Sequence, residues 1–347
     1  MKVLFLSHHG CIRVMKQGLA LMKNHDVHFM QASVTDGAFL LPMKECSFYT
    51  TKESLATKLR MMPDFDVIHV HNEPDWLVSV AKAAKPNTPV VYDCHDLDSQ
   101  RETGEANPDE VEAMRLADAF IFPSQTYLKG ATEYHSLPDN KPKAVVYSMC
   151  NKDMMTISPL PRVRGIAYEG GIAAPVEDYE YSRYPAYRDH RELCESMYYA
   201  NIPIALYGVS DIFMTQYRAT GAMCFPQMPY INMLRELSRW DWGFVGCMEK
   251  YKTMEGAMPN KLFEYVAAGI PVIACNAPEA ERYVVDNDLG VSVDSIEDIP
   301  KIYLDHEFWR EGVAYNRERF TMENEISKVE ELYLEVVKRA LRDSLNV

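Results

Sequence analysis

The residues whose types and spacing are most ready for chemistry lie in one segment, Met258 to Ala274. Pro259 and Asn260 fit the start of a helix, and Gly269 fits its C-terminal cap. The first turn of such a helix presents unsatisfied N–H groups and a partial positive charge, which suits an anion. Lys261 in that turn opposes the helix dipole, so it is poorly placed for helix stability alone. A phosphate-bearing ligand would explain it. Glu264, one turn on, could accept hydrogen bonds from vicinal hydroxyls, as a carboxylate does from a ribose. Gly170 and Gly171 follow a short apolar run, where a backbone without side chains could approach a diphosphate closely. His95 also follows a short apolar run, at the strand end where α/β sheets present ligands. Gly10 stands after the first such run, beside His8, His9 and Arg13.

His69 and His71 are two apart on one predicted strand and so share a face. Such a pair could begin a metal site, but no third ligand has suitable spacing, so packing is the reading for His69, and His71 at the strand end could line a cleft. Asp96-Leu97-Asp98 and Asp286-Asn287-Asp288 have acidic spacing at loop positions that do not match a metal role. No metal is expected.

The elements that must position these residues alternate along the chain. Val3 to Leu6 reads as a strand, a helical pattern follows through Val14, Leu19 and Met22, and Asp26 to Met30 reads as a second strand. Asp66 to His71, Pro89 to Asp93, Ala119 to Phe122 and Val145 to Tyr147 continue the strands, with a helix from Trp76 to Ala84. Short continuous apolar runs of this kind are strands covered on both faces. Ser158-Pro159-Leu160-Pro161 reads as a linker, after which a second series begins. Its strands are Gly165 to Tyr168, Ile204 to Tyr207, Trp242 to Val245 and Pro271 to Ala274, with helices at about 187–200 and at 261–268. The chain closes on a stretch with apolar residues at Ile326, Val329, Leu332, Leu334, Val337 and Leu341, which reads as an amphipathic helix. The expected class is α/β, with two Rossmann-like domains facing across a cleft.

Composition bounds the rest. A chain of 347 residues with 47% hydrophobic and 25% charged residues has apolar material for two cores. Its net charge of −14 makes it a poor candidate for tracking nucleic acid, so none is expected as a partner. The 8 cysteines are scattered without a C-x-x-C pair, which reads as reduced thiols. The N-terminal apolar run is too short for a signal peptide, and no stretch approaches the roughly 18 apolar residues of a membrane span. The expected location is cytoplasmic.

The segment from Met258 to Ala274 resembles the donor-binding signature of GT-B glycosyltransferases of the retaining family 4 type. The likeness extends along the chain. Asp66 to Asn72 (DVIHVHN) and Val90 to Leu97 (VVYDCHDL) resemble the family's strands before its active site, the second with its histidine. Asp118 to Ser124 and Val145 to Asn151 resemble the last strands of its N-terminal domain. Gly165 to Ile172 resembles the first strand and glycine loop of its donor domain, and Asp241 to Gly246 the strand before the signature.

The resemblance implies an N-terminal acceptor-binding domain over 1–160 and a nucleotide-sugar donor domain over 161–325. The last helix, about 326–347, would cross back to the N-terminal domain. His95 matches the histidine beside the donor sugar, and Glu264 the glutamate that holds the nucleotide ribose. An earlier family glutamate, for the sugar, would fall at Gly256, with Glu255 one residue off. Asn260 and Lys261 are polar groups that could take over part of its role. The donor site would also include Gly170, Gly171 and Gly10. Family members carry cations after the glycine loop; Arg183, Arg188 and Arg191 are the candidates here. Phe225 to Tyr230 resembles the loop that reads the nucleobase.

The implied activity is transfer of a sugar from a nucleotide-diphosphate sugar, UDP or GDP, to an acceptor hydroxyl, with retention and without a metal or cofactor. The acceptor would be a glycan, lipid or small molecule, and peripheral contact with a membrane is compatible with this. Two alternatives stay open: a nucleotide-sugar epimerase of the same fold, and a non-catalytic nucleotide or sugar binder.

Overall fold

The computed structural model describes residues 1–32, 46–155, 157–175 and 186–345. The chain divides into two compact units, Met1–Asn151 with Met322–Val347, and Lys152–Thr321.

The first unit is built on β1 (Lys2–Leu6), β2 (Asp26–Ala32), β3 (Cys46–Tyr49), β4 (Val67–His71), β5 (Val90–Asp93), β6 (Ala119–Phe122) and β7 (Lys143–Val145). All are parallel, in the order β3-β2-β1-β4-β5-β6-β7. Strands β4, β5 and β6 are buried throughout, as their continuous apolar runs require of a sheet covered on both faces. On one face Leu4, Leu6, Ile68, Val70 and Tyr92 pack with Leu55, Leu77, Val78 and Ala113 from three helices. On the other, Val3, Phe5, Val91 and Ile121 meet helix Ile12–Leu21 and the last helix, Met322–Leu345. That last helix supplies Met322, Ile326, Val329, Leu332, Tyr333 and Val336, the three- and four-residue spacing of one helical face.

The second unit is built on β8 (Val163–Glu169), β9 (Ile204–Tyr207), β10 (Met223–Phe225), β11 (Trp240–Gly246), β12 (Val272–Cys275) and β13 (Gly290–Val293). These are also parallel, in the order β10-β9-β8-β11-β12-β13. Each sheet reverses its strand order once, between β1 and β4 in the first and between β8 and β11 in the second. The loops leaving the carboxyl ends of those strands are where such sheets bind ligands. At β1, β4 and β5 they carry His8, Asn72 and His95; at β8 they carry Gly170 and Gly171.

The helix predicted at 187–200 begins at Arg191 instead. Ala173 bridges to Asp189, and its N–H donates to the carbonyl of Arg188 at 2.9 Å. That long-range pairing holds 188–189 out of the helix. The strand predicted at 145–147 lies at Lys143–Val145. Among the described residues, no helix is long and apolar enough to cross a membrane.

Candidate active site

Two polar clusters stand at the predicted positions, one in each unit. In the second unit, helix Asn260–Ala267 follows Pro259 and ends at Ala268, after which Gly269 turns left-handed at φ 72°. Glu264 is 2% exposed, and its Oε1 accepts from the Tyr230 hydroxyl at 2.9 Å. Lys261 reaches back from the first turn over the ring of Tyr168, with Nζ 3.8 Å from the centroid. The Tyr168 hydroxyl in turn donates to the carbonyl of Gly171 at 3.1 Å.

The glycine loop makes room for two cations. A Cβ on Gly170 would lie 3.0 Å from Lys261 Nζ, and one on Gly171 would lie 3.0 Å from Arg188 Nη1. Gly170 also holds φ at 115°, a backbone geometry side chains disfavour. Burial pushes the Lys261 ammonium down to about 8; Glu169 and Glu264 support its charge, and Arg188 opposes it. Behind Tyr168 lies His190, fully buried, its ring 4.0 Å from the tyrosine ring. Burial and then Lys261 hold it well below the usual histidine range, so it is neutral.

In the first unit, Asp93 at the end of β5 is the register partner of His71 on β4. Arg13 Nε donates to both Asp93 oxygens, at 2.9 and 3.1 Å, and Gln17 Nε2 donates at 2.9 Å. Arg13 and Gln17 are one turn apart on helix Ile12–Leu21. Three imidazoles face the carboxylate: His69 at 3.7 Å, His71 at 3.5 Å and His95 at 3.5 Å. Burial pushes Asp93 up, but Arg13 and the histidines outweigh it and hold the carboxyl well below its ordinary range. The backbone N–H of His95 donates to Asn72 Oδ1 at 3.0 Å, and Asn72 Nδ2 donates to the carbonyl of Asp96 at 2.8 Å. Asn72 therefore clamps the loop that carries His95.

Sequence spacing offered His69 and His71 no third ligand; the sheet supplies one. Among the described residues, His69, His71 and Asp93 form a group whose ligand atoms lie within 4.8 Å of one another. The two rings are stacked, 4.3 Å apart at 11°. Lone pairs that lie in two nearly parallel, stacked ring planes do not converge on one ion, and Arg13 already occupies the carboxylate. The acidic pair Asp96 and Asp98 is bridged by Arg101, at 2.7 and 2.8 Å.

Residues 26–147 match the family described as Glycosyltransferase Family 4, and residues 186–306 match Glucosyltransferase 3-like, C-terminal domain. Among solved structures, Anabaena HepE in complex with UDP matches with a TM-score of 0.68 at 14% identity, over 95% of this chain and 99% of that one. A glycosyltransferase from Rickettsia africae matches with a TM-score of 0.67 at 13% identity, over 97% and 99%. WaaG, a glycosyltransferase involved in lipopolysaccharide biosynthesis, matches with a TM-score of 0.63 at 12% identity, over 95% and 99%. No curated protein matches the chain. The chain is a GT-B glycosyltransferase of the family 4 type.

In this glycosyltransferase the structure brings Lys261, Arg188, Gly170 and Gly171 to one loop, with Asn260 and Glu264 on the same helix. Arg191 turns its guanidinium onto Asp189, at 2.6 Å. Arg183 lies outside the described residues. Gly10 is buried, and its N–H donates to Gln31 Oε1 at 2.9 Å, so that backbone donor is committed within the protein. His71 is fully buried beneath His95 and lines no surface. Sequence reasoning did not single out Tyr230, Asn72 or Asp93. Asn72 and Asp93 lay inside segments already recognised, DVIHVHN and VVYDCHDL; Tyr230 had no signal beyond its place at the end of the predicted base-reading loop.

Proposed function

We propose that this glycosyltransferase moves a sugar from a UDP-sugar to an acceptor hydroxyl, with retention of configuration and without a metal. The observation that carries this reading is the convergence of Lys261 and Arg188 on the Gly170-Gly171 loop, with the buried Glu264 one helical turn from Lys261. A departing nucleoside diphosphate needs fixed positive charge and N–H dipoles, and this loop and helix start provide both. Glu264, oriented by Tyr230, accepts from the ribose hydroxyls. Asn260 faces the same helix start. The unit Lys152–Thr321 is the donor-binding domain, and the unit Met1–Asn151 with Met322–Val347 binds the acceptor.

His95 hydrogen-bonds to the transferred sugar and stabilises charge that develops during its departure. HepE has been crystallised with UDP and with UDP-glucose, which supports uridine over guanosine in the donor. One structure of the same fold, an α-glucosyltransferase, holds DNA. The net charge of −14 here favours a glycan, lipid or small-molecule acceptor. We propose that no cofactor takes part and that the reaction runs in the cytoplasm.

The test is incubation of the pure protein with UDP-, GDP-, ADP- and TDP-sugars and pooled acceptors, beside Glu264→Ala. Release of UDP from a UDP-sugar by wild type, lost in the variant, is the expected result. Nucleotide binding without diphosphate release from any donor would defeat the enzymatic reading.

A further inference from the structure

Around Asp93, the first unit leaves several buried polar atoms without a hydrogen bond: Arg13 Nη2, Gln17 Oε1, His69 Nε2, both ring nitrogens of His71, and His95 Nδ1. Buried polar atoms are normally paired, and a cluster of exceptions calls for a role. The three histidines share one acceptor, the Asp93 carboxylate, at 3.5 to 3.7 Å. They differ in access. The side chains of His69 and His71 are fully buried, whereas that of His95 is 20% exposed. Of the three, His95 alone has both a side facing Asp93 and a side facing outward.

We propose that Asp93, held in place by Arg13 and Gln17, is a positioning residue that orients the His95 ring and fixes its tautomer. This inference rests on the reading of His95 as the group beside the donor sugar. Asn72 fixes the His95 backbone but leaves its ring free to turn. Asp93 Oδ1 faces Nδ1 and selects the form with the proton on that nitrogen. Nε2 is then the nitrogen turned toward the sugar. Apo contacts of this kind are commonly a few tenths of an ångström long and tighten on binding. Arg13 is essential to the arrangement, because an unpaired buried carboxylate would take up a proton and cease to accept.

His69 braces the other side. Its Nδ1 lies 2.6 Å from the Tyr333 hydroxyl, which burial keeps protonated and able to donate. Donation from Tyr333 leaves the His69 proton on Nε2, facing Asp93. The last helix thus reaches His95 through Tyr333, His69 and Asp93.

Imidazole ¹⁵N NMR of wild type, assigned with a His95→Gln variant, tests the geometry without a substrate. His95 protonated at Nδ1, with Nε2 bare, is expected; a proton resident on Nε2 would overturn the proposal. Asp93→Asn is the functional test, paired with Arg13→Met/Asp93→Asn so that no unmatched guanidinium is buried. In whichever variant keeps the wild-type near-UV circular dichroism, kcat should fall about 100-fold. The KM for donor should stay within about twofold, and the His95 signals should show mixed tautomers. A folded variant with kcat within about threefold of wild type, or with His95 signals unchanged, would overturn it. If wild type transfers no sugar at all, the functional reading fails, while the NMR result still decides the Asp93–His95 relation.

Discussion

Burial holds the Lys261 ammonium at a pKa of about 8. Below that pH the free protein presents a full positive charge to a diphosphate; as pH rises through 8 the charge is lost, because the folded value sits below the ordinary lysine range. UDP affinity should therefore be flat from pH 6.5 to 7.5 and weaken by about tenfold by pH 9, measured by calorimetry. Lys261→Met should remove that pH dependence and cost roughly 10- to 100-fold in affinity at pH 7, the worth of a charge-assisted hydrogen bond. Equal slopes in wild type and variant would show that another group titrates. Glu264→Gln keeps the shape of a side chain that is 2% exposed, so its Tm should hold within a few degrees while UDP affinity falls roughly tenfold. Lys261 stood out in the sequence because a cation in a first helical turn breaks an ordinary preference, and Glu264 because its place in that segment resembles the family's signature. Arg188 was one of three equivalent candidates, since only the fold decides which arginine returns to a loop seventeen residues earlier in the chain.

At the scale of elements, the β8 turn and the helix Asn260–Ala267 share one constraint. Gly170→Ala places a methyl group 3.0 Å from Lys261 Nζ and strains a φ of 115°. Gly269→Ala strains a φ of 72° at the far end of the same helix, where the nearest atom is 3.4 Å away on Arg317. Both substitutions should lower stability by about 1 kcal/mol. Only Gly170→Ala should also weaken UDP binding, by about tenfold, because only there must the cation move. A loss of affinity in both would mean that helix stability, not the cradle, sets binding. The central strands and the helix Trp76–Ala84 were readable because each is one uninterrupted pattern. The strands β3, β10 and β13 were not read, because they are short edge strands whose pairing comes from a distant partner. The helix start at Arg191 was misplaced for the same reason: Ala173, far back in the chain, sets it.

At the scale of the molecule, the two units differ in how they close. The residues proposed to hold the nucleotide, Lys261, Arg188, Glu264 and the Gly170-Gly171 loop, all belong to Lys152–Thr321, which is continuous in the chain. The other unit needs its last helix from the far end of the sequence. Met322, Val329 and Tyr333 of that helix are each fully buried in the core that contains Phe5, Val91 and Ile121. Ending the chain at Thr321 uncovers that core and removes the Tyr333 hydroxyl from His69. A fragment of residues 152–321 should therefore express alone, melt cooperatively and bind UDP within about tenfold of the full chain. The chain cut at Thr321 should instead expose apolar surface, seen as dye binding and loss of the near-UV signal from the first unit. It should nevertheless keep UDP affinity in whatever remains soluble. A fragment that folds without binding UDP would place essential nucleotide contacts in the first unit and move the donor site away from the glycine loop.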